Sequence, residues 1–118
     1  MILKVALAAF SLFLCSSATS LAADIKYRGW VTLKVGESIV LKGVRNADCD
    51  NTVPSWDHVR RGLPRSKLGV FSDGGAGTVQ SKSCGNKRVG ARGVRFKARK
   101  TGTEQLSIFS DGVRVTVK

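Results

Sequence analysis

Residues 94–118 read VRFKARKTGTEQLSIFSDGVRVTVK, and a period of two runs through them. Val94, Phe96 and Ala98 alternate with Arg95, Lys97 and Arg99, so one face is apolar and the other cationic. Leu106 and Ile108 keep the same spacing between Thr103 and Phe109. Ser110-Asp111-Gly112 reads as a turn, after which Val113, Val115 and Val117 alternate with Arg114, Thr116 and Lys118. Two alternating runs about an Asp-Gly turn predict a hairpin.

The same pattern recurs upstream. Val31, Leu33 and Val35 alternate with Thr32 and Lys34, Gly36 breaks the run, and Ser38 to Val44 resumes it. Thirteen glycines punctuate the chain, and no segment carries a helical stripe. Short strands at this spacing predict an all-β fold, a β-sandwich or a small barrel, and the expected architecture is an antiparallel β-sandwich of about seven strands. Its inward residues should be Val31, Leu33, Val94, Phe96, Leu106, Ile108, Val115 and Val117.

The middle is less regular. Arg45 to Pro54 (RNADCDNTVP) reads as a turn-rich loop, and Trp56 as the anchor of a central strand or a neighbour of the first cysteine. Leu68 to Phe71 reads as a short strand before Ser72-Asp73-Gly74-Gly75, with Thr78 to Lys82 pairing back. Cys84-Gly85-Asn86-Lys87-Arg88 reads as an exposed loop.

At the other end, Lys4 precedes an apolar run from Val5 to Leu14, and small residues lead to Leu21, Ala22 and Ala23 before Asp24. That order is the pattern of a cleaved secretory signal peptide. The run is too short to span a bilayer, which takes about 20 residues. The expected division is residues 1–23 as signal peptide and 24–118 as a single domain, exported to the periplasm or secreted. Cys15 would leave with the signal. Cys49 and Cys84 would remain as an even pair in an oxidising compartment, so one disulfide is expected. It would be worth about 3–4 kcal/mol in the chain-entropy model.

Several segments resemble bacterial immunoglobulin-like domains. Leu33-Lys34-Val35-Gly36-Glu37-Ser38 with Val40-Leu41 is similar to the turn joining their first two strands. Pro54-Ser55-Trp56 resembles their third-strand tryptophan. Gly93 to Ala98, Lys100-Thr101-Gly102-Thr103 and Leu106-Ser107-Ile108 resemble their late A-x-x-x-G-T-x-x-L-x-I segment. The likeness runs from about Val31 to Lys118 and implies an Ig-like sandwich, with motifs that mark strands and turns. Gly90-Ala91-Arg92-Gly93 resembles the glycine-rich loop of chagasin-type protease inhibitors, whose N-P-T-T-G and R-P-W loops have no counterpart here.

Charge carries the functional signal. The formal net charge is +12. Residues 60–100 hold twelve basic side chains against Asp73 alone. Such clustering draws anionic partners, and guanidinium groups pair bidentately with phosphate and carboxylate. The candidate anion-binding residues are Arg60, Arg61, Arg65, Lys87, Arg88, Arg92, Arg95, Lys97, Arg99 and Lys100. The bland alternative is a solvated, soluble surface with no dedicated ligand.

Catalysis finds no foothold in the sequence. His58 is the only histidine, there is no G-x-S-x-G elbow, and Gly74-Gly75-Ala76-Gly77 lacks the lysine of a phosphate loop. No cysteine or histidine spacing points to a metal or cofactor. The leading expectation is an exported, non-enzymatic binding module for an anionic polymer, lipid headgroup or acidic protein. A secreted protease or lysozyme inhibitor would present loops such as Asp48 to Ser55 or Ser72 to Gly77. A structural accessory of an envelope assembly would dock by a sheet edge.

Overall fold

Val31, Leu33, Val94, Phe96, Leu106, Ile108, Val115 and Val117 are all buried, as the alternation requires. They meet between two three-stranded sheets in a computed structural model that describes residues 23–118. The strands are β1 (Trp30–Leu33), β2 (Ser38–Arg45), β3 (Gly69–Ser81), β4 (Lys87–Ala98), β5 (Gly102–Ile108) and β6 (Asp111–Val117). One sheet has the order β2-β4-β3 and the other β1-β6-β5. Leu41 and Val44 of β2, Ala98 of β4 and Val113 of β6 join the core, with Val59 and Leu68 from the segment between β2 and β3.

The chain is thus an all-β sandwich with one disulfide, Cys49–Cys84, whose Cα atoms lie 5.6 Å apart. Six strands form among the described residues, close to the expected number of about seven, and one pairing departs from the antiparallel expectation. β1 runs parallel to β6, Trp30 to Leu33 matching Arg114 to Val117. The signal-peptide reading of residues 1–23 lies outside the described residues, apart from Ala23.

Trp56 does not stand on a strand. Trp56–Arg61 forms a short helix, α1, whose first turn is capped by Ser55 Oγ accepting from the His58 amide at 3.2 Å. Val59 is buried, and Trp56 packs against the core beside it. Gly62 ends the helix, and a Cβ there would meet the Phe109 ring at 2.5 Å. The following segment runs back along the open edge of β5: Ser66 Oγ and the Lys67 amide donate to Glu104 at 2.6 and 2.9 Å. No backbone ladder forms there among the described residues.

Further expectations are corrected. Thr78 to Lys82 does not fold back on Leu68 to Phe71. Gly69 to Phe71 and Thr78 to Ser81 both belong to β3, which pairs with β4 along its length except at a bulge at Gly74-Gly75. Ser72 to Gly77 is therefore strand, and so is Gly90 to Gly93 within β4. Cys84 is buried at the end of a 3-10 turn, Gly85 and Asn86 make the hairpin turn with positive φ, and Lys87 and Arg88 open β4. In the β5–β6 hairpin the turn residues are Phe109 and Ser110, at φ 47 and 71, so Asp111 and Gly112 start β6.

Residues 23–28 form a strap over the outer face of the β2-β4-β3 sheet. At the β3 edge the Thr78 amide donates to Ala23 O and the Ile25 amide to Thr78 O, at 3.0 and 2.8 Å. Ile25 then lies over the face that carries Gly43, Val79 and Ala91. At the β2 edge the Arg28 amide donates to Leu41 O at 2.8 Å. Only glycine at 77 allows this, since a Cβ would sit 2.5 Å from Ala23 O and 2.7 Å from the Ile25 side chain.

Candidate anion-binding face

Strand β4 divides the ten candidate cations by position and by partner. Val94, Phe96 and Ala98 face the core, so Arg95 and Lys97 lie together on the outer face, about 6.5–7 Å apart along the strand. Val40 and Ser72 flank Arg95, while Ser38 and Val70 flank Lys97. None of these four neighbours is acidic. Arg99 and Lys100 follow at the exit of β4, both exposed, with both amides donating to Leu68 O at 2.8 and 3.0 Å. That carbonyl draws exposed Lys67 to the same end, with exposed Arg65 two residues before it.

Three of the candidates are already paired. Arg92 Nε donates to Pro54 O at 3.0 Å, and its guanidinium reaches both Asp73 carboxylate oxygens at 3.4 Å. It is only 20% exposed, and it fastens the loop before α1 to the sheet. Arg88 pairs with Asp24 at 2.6 Å and so latches the strap. Arg60 pairs with Asp57 at 3.0 Å within α1, and Arg61 Nε donates to Asp57 O. Lys87 stands ten residues from Lys97 along β4, about 30 Å away. Among the described residues, Arg65, Arg95, Lys97, Arg99 and Lys100 have no ion-pair partner.

Sequence reasoning missed two contributors. Lys26 and Arg28 are far from the cluster in the chain, but the strap carries them onto this face. They line a depression of about 390 Å³ together with Val40 and Gly74, and Val40 is the register partner of Arg95. The strap leaves no local signature in the sequence that would have placed them there. The grouping that emerges is smaller than the sequence cluster and differently composed: Arg95 and Lys97 on the outer face of β4, with exposed Arg99, Lys100 and Lys67 at the strand's exit and Lys26 and Arg28 at the other end.

Elsewhere, a groove of about 930 Å³ follows β2 and is lined by Tyr27, Lys42, His58, Phe109 and Asp111 among others. Its buried lysine is committed, with Lys42 Nζ donating to Ile108 O and pairing with Asp111. His58 sits exposed on α1. Among the described residues, no three His, Cys, Asp or Glu side chains gather where a metal could bind, and no helix is long and apolar enough to cross a membrane. The chain matches no known protein family, no characterised protein and no solved structure.

Proposed function

We propose that this chain is an exported, non-enzymatic binding module with an Ig-like sandwich fold that holds an anionic polymer on the outer face of its β2-β4-β3 sheet. One observation carries the reading: Arg95 and Lys97 stand side by side on the outer face of β4 and Arg99 and Lys100 are exposed at its exit, and among the described residues none of the four has an ion-pair partner. Cations that lack an internal carboxylate are free to give up their counterions to a ligand. Strand geometry spaces Arg95 and Lys97 so that one extended polyanion can touch both, with Arg99 and Lys100 exposed just beyond them. Arginine in the row adds bidentate pairing to phosphate, sulfate or carboxylate.

Retention of the purified protein on heparin resin tests this, with elution followed as salt rises. Early elution of Arg95→Glu/Lys97→Glu supports the reading. Flow-through of the unaltered protein at 50 mM salt removes it.

A second reading has a specific observation of its own. The loop Asn46 to Ser55 is tied by Cys49–Cys84, by Asn46 Nδ2 donating to Thr52 O at 3.0 Å, and by the Thr52 amide donating to Asp50 at 3.0 Å. A loop held this way loses little entropy on entering a cleft, which suits an enzyme inhibitor. Stoichiometric, salt-insensitive inhibition of a protease or lysozyme would favour it.

A further inference from the structure

The outer face of the other sheet carries a different chemistry. β5, β6 and β1 align in register, so Gln105, Arg114 and Trp30 form one row across all three strands. The adjacent row is threonine throughout: Thr103, Thr116 and Thr32. Trp30 is 75% exposed, an unusual position for an indole. The Arg114 guanidinium lies over its ring at 5.7 Å from the centroid, which holds ring and charge side by side. Tyr27, also exposed, anchors its hydroxyl on Gly112 O, two residues before Arg114 on the same strand. None of the outward positions of β1, β6 and β5 is acidic or aliphatic.

We propose that this face is a binding site for an acidic sugar chain, independent of the cationic face on the opposite sheet. An exposed indole offers a flat apolar surface to the C–H face of a pyranose ring. The neighbouring guanidinium suits a carboxylate on that ring, pairing through two parallel N–H bonds. The Gln105 amide and the threonine hydroxyls supply donors and acceptors for ring hydroxyls. Gly112 stands opposite Ser107 with no side chain, and a Cβ there would come within 3.1 Å of Gln105 Nε2, so glycine leaves the amide open. Three strands span about 10 Å, roughly the length of two linked sugar rings. An apolar peptide would bury the indole but leave Arg114 and Gln105 unmatched. A nucleic acid would want more than one cation in these rows.

The test uses tryptophan emission in a Trp56→Phe background, so that Trp30 alone reports. Tetramers of galacturonate, mannuronate and guluronate are titrated, with maltotetraose as the neutral control. At least one uronate tetramer should shift Trp30 emission saturably. Trp30→Ala, followed by calorimetry, and Arg114→Gln should each weaken that binding at least tenfold, while Arg95→Glu/Lys97→Glu should leave it within twofold. The two sites thus fail separately. No Trp30 response to any of the three uronates at millimolar concentration would overturn the site. Equal binding of maltotetraose would overturn the role of Arg114. Loss of binding only in Arg95→Glu/Lys97→Glu would assign the effect to the other face.

Discussion

Lys42 Nζ lies 2.7 Å from Asp111 Oδ2 and 3.1 Å from Ile108 O, joining β2 of one sheet to the β5–β6 turn of the other. β2 bulges at Leu41, so both Leu41 and Lys42 are buried. The Lys42 side chain is 8% exposed and Asp111 50%, so the ammonium rather than the carboxylate depends on the pair. Asp111→Ala should cost about 1–3 kcal/mol, because the lysine keeps only the carbonyl. Lys42→Met should be close to neutral, since an apolar side chain needs no partner. Denaturant unfolding of both variants checks the asymmetry, and equal costs would contradict it.

Phe96 is fully buried, with Phe71 edge-on at 5.6 Å between ring centroids. Phe96→Ala should cost about 3–5 kcal/mol. A loss under about 1 kcal/mol by the same measurement would mean that the apolar face of β4 is turned outward.

The strap depends on the missing side chain at Gly77. Gly77→Ala should displace residues 23–25 and free the Ile25 amide from Thr78 O. Hydrogen exchange reads this directly: Ile25 should lose protection while the amides of β4 keep theirs. Unchanged protection at Ile25 would show that the strap tolerates a Cβ.

Asp50 gives a pH signature. The Thr52 hydroxyl, and then its amide, donate to the carboxylate and hold its pKa below the ordinary 3.8. A carboxyl with a depressed folded pKa contributes stability above its unfolded value, and that contribution disappears as pH falls through the folded one. The Asp50 resonance should therefore titrate below 3.8, and Thr52→Val should move it upward. A titration unchanged by Thr52→Val would remove the assigned cause.

The sandwich and its inward residues were legible because alternation is a local signal that burial enforces. The turn between β5 and β6 was not. Asp-Gly is the favoured hairpin dipeptide, yet Phe109-Ser110 takes the turn. Asp111 is held by Lys42 and Gly112 by the Tyr27 hydroxyl, so contacts from distant residues set the register. Helix α1 had a readable start and stop, with Ser55 before it, Asp57 in its first turn and Gly62 after it, but only Trp56 and Val59 to mark its apolar side. On the cationic face, alternation correctly placed Arg95 and Lys97 together. Counting charges along the chain could not reveal that Arg88 and Arg92 are spent on Asp24 and Asp73, nor that the strap adds Lys26 and Arg28.

The most direct test of the cationic face compares two double charge reversals of equal size. Arg95→Glu/Lys97→Glu alters the outer face of β4, whereas Lys82→Glu/Lys87→Glu lies at the distant β3–β4 turn. Heparin affinity is measured for each between about 50 and 200 mM salt, where contacts to a polyanion weaken steeply. The first pair should lower affinity at least tenfold more than the second and flatten the salt dependence, with both proteins keeping their thermal unfolding. Equal losses would mean that net charge alone attracts the polymer and that no site exists.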